Sequence, residues 1–107
     1  MSTHYIEVNG TPEICGDVER WAREWSQANR RVAHTQVSAD VDVSTVFLGI
    51  DHRIGTDGPP ILYETMIFGG EYDGDCWRFT SRETARRAHG EIVAWLNGGP
   101  APKGEYA

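Results

Sequence analysis

Between Asp17 and Ala28 the apolar residues Val18, Trp21, Ala22, Trp25 and Ala28 recur at steps of three and four, while Glu19, Arg20, Arg23, Glu24 and Gln27 take the other positions. That period predicts an amphipathic helix. Asp17 is placed to accept from its free amides, and Glu19 in the first turn suits the positive end of its dipole. A second helix is predicted where Ala85, Ala88, Ile92, Trp95 and Leu96 trace one face. Thr80-Ser81-Arg82-Glu83 reads as its capping box, with Thr80 and Glu83 satisfying each other's amides. Asn97-Gly98-Gly99-Pro100 stops it.

The remaining apolar positions alternate, as strands require. Residues 4–8 carry Tyr5, Ile6 and Val8 and end at Asn9-Gly10, which predicts a short edge strand and a turn. Residues 31–37 alternate as Arg-Val-Ala-His-Thr-Gln-Val. Residues 41–50 begin alternating and finish almost wholly apolar, as does 61–68, and both read as central strands. Residues 76–79 close the sheet. The expected order is β-α-β-β-β-β-α, an α+β fold with an antiparallel sheet of about five strands and two helices on one face. Residues 1–99 are expected to form one domain and 100–107 a loose tail.

Two helices cover one face of such a sheet. In the central strands Val43, Thr45 and Phe47 alternate with Ser44, Val46 and Leu48, and Leu62, Met66 and Phe68 alternate with Ile61, Tyr63 and Ile67. Both faces therefore carry apolar side chains, and an uncovered apolar face marks an association surface. A homodimer or a partner-binding face is expected, unless the long loop and the tail cover it.

Composition narrows the partners. The 107 residues include 16 acidic and 10 basic ones, a net charge of −6, which repels a phosphate backbone and argues against nucleic-acid binding. It favours a protein partner, one with a basic surface in particular. No apolar stretch approaches the ~20 residues of a membrane span, and Met-Ser-Thr-His-Tyr-Ile has no basic start followed by an apolar run. Neither membrane nor export is expected, which leaves the cytoplasm. Cys15 and Cys76 form no paired motif, so reduced thiols are expected and no zinc. Nine of the ten basic residues are arginine, a bias that accompanies GC-rich coding.

Few residues invite chemistry. Asp51-His52-Arg53 lies where a central strand runs into the long loop, a usual place for working groups. A carboxylate beside an imidazole suits Asp51 to orienting a general base or binding a metal, yet neighbours on a strand point to opposite faces, and Asp51 serves equally to organise the turn while His52 is exposed. Glu64 interrupts an apolar strand and must face water, serve a site, or pair with Arg31, His34 or Arg78. His34 joins Asp51, His52 and Glu64 in an acid-base or metal cluster only if the fold gathers them. His89, beside the apolar face of the second helix, reads as a satisfied structural histidine. Trp21, Trp25 and Trp95 fall at core spacing, whereas Trp77, beside Arg78 in the short last strand, is expected at an exposed edge. The glycines at 69, 70 and 74 read as turn glycines, and no phosphate loop or nucleophile motif is present. Asp51, His52, Glu64, Trp77 and Arg78 are the expected binding residues, with no cofactor and no metal.

The run Val-Ser-Thr-Val-Phe-Leu-Gly-Ile-Asp-His at 43–52, followed by Gly-Pro-Pro-Ile-Leu-Tyr-Glu-Thr-Met-Ile-Phe-Gly-Gly at 58–70, resembles a family of short bacteriophage and prophage proteins of actinobacteria. The resemblance extends over most of residues 30–93. It implies a phage accessory protein of unassigned activity, in keeping with a GC-rich host, and brings no catalytic residues. The leading expectation is a small protein of the host cytoplasm that binds a host or viral protein, as a homodimer. The rival is a small hydrolase or nuclease using Asp51, His52, Glu64 and His34.

Overall fold

The computed structural model describes residues 4–53, 55 and 58–102. Met1 to Thr3, Asp57 and the 103–107 part of the expected tail lie outside these residues.

The chain opens with a hairpin, β1 (Tyr5–Val8) paired with β2 (Thr11–Ile14). Its two-residue turn places Asn9 at φ 53° and Gly10 at φ 81°, the left-handed pair that matches the twist of the flanking strands. The sequence signalled the turn but not the return strand, because Thr-Pro-Glu-Ile neither alternates nor avoids proline. Register explains why Pro12 is tolerated. The Cys15 amide donates to the His4 carbonyl at 2.9 Å, while the Tyr5 amide turns away to the Gly49 carbonyl at 2.8 Å. Successive residues alternate, so Glu7 also points its backbone away from β2, and its partner Pro12 loses no ladder bond.

Four strands form the larger sheet: β3 (Arg31–Ser38), β4 (Val41–Phe47), β5 (Tyr63–Phe68) and β6 (Cys76–Phe79), antiparallel in that order. The fold is α+β, with six strands divided between two antiparallel sheets. β4 stops at Phe47 rather than residue 50, since Gly49 takes φ 73° and bends the chain out of the sheet.

Helix α2 (Arg82–Leu96) crosses all four strands of this sheet. Registered pairs Val43 with Ile67, Thr45 with Thr65, and Phe47 with Tyr63 all point at it and are buried with Ala85, Ala88, His89 and Ile92. Burying each large apolar side chain stabilises the fold by ~1.5–3 kcal/mol. The cap of α2 sits one residue later than the sequence suggested. Ser81 is the N-cap and accepts from the Thr84 amide at 3.2 Å, so Thr84 rather than Glu83 occupies the third helical position.

Helix α1 (Val18–Gln27) begins as expected, the Asp17 carboxylate accepting from the Arg20 amide at 3.1 Å. None of its residues is fully buried. It packs on β1 through Trp21, whose indole N–H donates to the carbonyls of Tyr5 (3.0 Å) and Gly49 (3.1 Å). Trp25 reaches Phe47 at the end of the larger sheet, ring centroids 6.0 Å apart. Leu62, grouped by alternation with Met66 and Phe68, is instead buried in the core with Phe47 and Tyr63, because β5 begins only at Tyr63. Among the described residues no helix is long and apolar enough to cross a membrane.

Candidate interaction surface

Alternation puts Glu64, Met66 and Phe68 of β5 on the face away from α2, beside Ser44 and Val46 of β4 and Cys76 and Arg78 of β6. Every one of these side chains is half-buried or exposed, and Phe68 is 50% exposed. No described element packs on this face: α2 lies on the opposite one and α1 on β1. Val46, Met66 and Phe68 form its apolar middle. Two polar pairs flank them. The Arg78 guanidinium meets Glu64 directly across the strands at 3.0 Å, and the His34 ring lies 3.3 Å from Asp42. Pairs this exposed contribute little to stability, ~0–1 kcal/mol, but they fix which polar atoms the surface presents.

Asp51 works in the loop. Its carboxylate accepts from the backbone amides of Arg53 (2.9 Å) and Ile61 (3.0 Å) and pairs with the Arg53 guanidinium at 2.7 Å, so it ties the two ends of the loop together. Burial by itself would raise this carboxyl, but the two amides and the guanidinium outweigh it and hold the group below the usual carboxylate value. His52 is exposed, and its backbone amide continues the closure to the Ile61 carbonyl at 2.9 Å.

Glu64 is thus committed to Arg78, Asp51 to Arg53, and His34 to Asp42. Among the described residues no hydrogen bond or ion pair joins any two of Asp51, His52, Glu64 and His34, and no group of three or more metal-ligating side chains is assembled. Trp77 also departs from expectation. It faces α2 rather than an exposed edge, half-buried against both halves of the core and set edge-on to Trp95 at 6.3 Å. Its partner in register is the buried Thr65, and that parity turns it inward.

Three features escaped the sequence reading. The Glu7 carboxylate accepts from the Tyr63 hydroxyl at 2.7 Å and from Arg82 at 3.1 and 3.2 Å, joining hairpin, sheet and α2. Burial, then the Glu7 carboxylate, push the Tyr63 phenol far above its ordinary value. Glu7 shares the parity of buried Tyr5, which was the available signal. The second feature is a buried chain of hydroxyls around His89, whose Nε2 lies 2.9 Å from Thr35 and Nδ1 2.8 Å from Thr45, with Thr45 bonded on to Thr65. The third is a cleft of about 500 Å³ between β1 and the end of α1, lined in part by Glu7, Trp25, Arg30 and Phe47. Among known proteins, no family model, no curated protein and no solved structure matches this chain.

Proposed function

We propose that the chain is a small phage- or prophage-encoded accessory protein that acts in the host cytoplasm by binding a host or viral protein, and that it does so as a homodimer formed through the open face of its larger sheet. The supporting observation is that face itself: Val46, Met66 and a half-exposed Phe68, framed by Glu64–Arg78 and His34–Asp42, with no described part of the chain laid over them. An apolar centre with a polar rim is the usual anatomy of an association surface. The sheet edge is a poorer route, since β3 carries two register irregularities, between Arg31 and Ala33 and between Gln36 and Ser38, and bulged edges resist strand addition. The phage origin rests on the resemblance of residues 43–52 and 58–70. The net charge of −6 favours a protein partner over nucleic acid.

Light scattering across a concentration series tests the dimer, and affinity capture from host lysate tests the partner. Phe68→Asp is expected to shift the mass to that of a monomer. A chain that is monomeric at every concentration and captures nothing overturns the proposal.

A further inference from the structure

The outer edge of β1 is left half used. Because the hairpin bonds run through His4, Ile6 and Val8, the backbone groups of Tyr5 and Glu7 point to the other side. Those of Tyr5 are filled: its amide donates to Gly49 and its carbonyl accepts from the Trp21 indole. One step along the strand, Glu7 offers the same donor and acceptor, and among the described residues nothing pairs with them. Its side chain is turned elsewhere, to Tyr63 and Arg82.

Beside that edge lies the cleft of about 500 Å³, within the size range of a binding site. Phe47 and Trp25 supply its aromatic part, and Ile6 and Val8 line it from β1. Trp25 is held by three contacts: stacked on Trp21 at 5.5 Å, packed on Phe47, and fitted against Gly49, where no side chain can stand. At the same place the Arg30 guanidinium lies 4.5 Å above the Trp25 ring. Arg30 is exposed and, among the described residues, pairs with no carboxylate; neither does its neighbour Arg31.

An open backbone donor-acceptor pair, an aromatic wall and a guanidinium that, among the described residues, has no carboxylate partner match the needs of an extended peptide. Main-chain bonds align such a segment, a pocket takes an apolar side chain, and a fixed cation selects a carboxylate. We propose that this cleft receives an extended segment of the partner protein, bonded to the backbone of Glu7, with an apolar side chain against Trp25 and Phe47 and an acidic one at Arg30. This deepens the binding reading by giving the partner segment a place and a chemistry, and it is separate from the sheet face assigned to the dimer. The overall charge of −6 governs long-range attraction, whereas Arg30 governs the local contact.

The test pans a displayed random-peptide library on the immobilised chain and measures the selected peptides, fluorescein-labelled, by anisotropy. Selected sequences are expected to place an acidic residue close to an apolar one. Arg30→Glu should weaken them at least about tenfold, with Arg30→Gln as the milder check on folding. The Glu7 amide should become protected from hydrogen exchange when peptide is bound. Phe68→Asp should leave peptide affinity unchanged, so a failed dimer does not count against the cleft, nor a failed cleft against the dimer. Peptides without acidic residues, affinity indifferent to both Arg30 variants, or an unprotected Glu7 amide would overturn the proposal. So would protection of that amide in the free chain that rises with protein concentration, because a second copy would then fill the edge.

Discussion

The Nδ1 atom of His89 lies 2.8 Å from the Thr45 hydroxyl, so the middle of helix α2 is tied to the middle of the sheet through an imidazole. Thr35 takes the other ring nitrogen at 2.9 Å, and Thr65 continues the chain beyond Thr45. Both neutral tautomers satisfy the chain, because each hydroxyl can donate in one direction and accept from the other. Among the described residues no carboxylate is in hydrogen-bond contact with the ring, so a proton gained there would be a buried charge without a counter-ion among them.

Acid sensitivity follows from that arrangement. Burial, and then the nearby charge of His34, hold the His89 pKa below its ordinary 6.5. A folded value below the unfolded one means that the unfolded chain binds the proton more readily. Stability is therefore complete above about pH 6.5 and falls as the pH drops through the interval between the two values. Urea midpoints measured from about pH 7.5 to pH 5 should decline in the wild type and decline less in His89→Gln. Equal slopes would remove His89 as the cause. Asp51, with its depressed carboxyl, acts in a lower window: its contribution is present above the ordinary 3.8 and is lost below it.

Glu7 holds three elements at once, so its removal should loosen the hairpin before the sheet. Glu7→Gln leaves Arg82 without its partner and weakens the acceptor of the Tyr63 hydroxyl. The Arg82 side chain is 32% exposed, which screens the pair, and the expected cost is about 2 kcal/mol. Hydrogen exchange should report faster opening of residues 5–14 than of β4 and β5. Uniform acceleration across the chain would contradict this.

Gly49 and Trp25 share one space. A methyl group at Gly49 would overlap the Trp25 indole, and the backbone there has φ 73°, which L side chains rarely adopt. Gly49→Ala should destabilise by about 3 kcal/mol and alter the tryptophan emission, since the ring must leave Phe47. An unchanged melting temperature would show that α1 does not depend on this fit.

Phe68→Asp separates association from folding. The side chain is half exposed on the uncovered face, so its loss should change monomer stability by only about 0.5 kcal/mol. Denaturation of the variant at low concentration, compared with light scattering at high concentration, checks both halves. A large loss of stability would place Phe68 in the core after all.

The two helices and most strands were legible because their signals are local. Trp21 and Trp25 at a spacing of four, Asp17 before them, and the alternation of Val43, Thr45 and Phe47 need only nearest neighbours along the chain. What escaped was set by contacts between distant segments. Pro12 hid β2, because tolerance of a proline depends on which edge of β1 its partner Glu7 turns outward. Trp77 was misplaced because its direction follows from its pairing with Thr65. Thr80 and Ser81 are both capping residues by type, and in the fold it is Ser81 that accepts from the Thr84 amide. For Glu64 the sequence leaves water, a site or three pairing partners open, and register selects Arg78.

By itself the sequence determined the α+β class, the chain order of its main elements and the acidic character of the surface, since period and charge are properties of composition and spacing. The tertiary structure alone decided that the strands divide into two sheets, that only α2 covers the larger one, and that Glu7, Tyr63 and Arg82 meet. Those outcomes depend on register and on long-range packing, where one residue of slip exchanges buried for exposed along a whole strand.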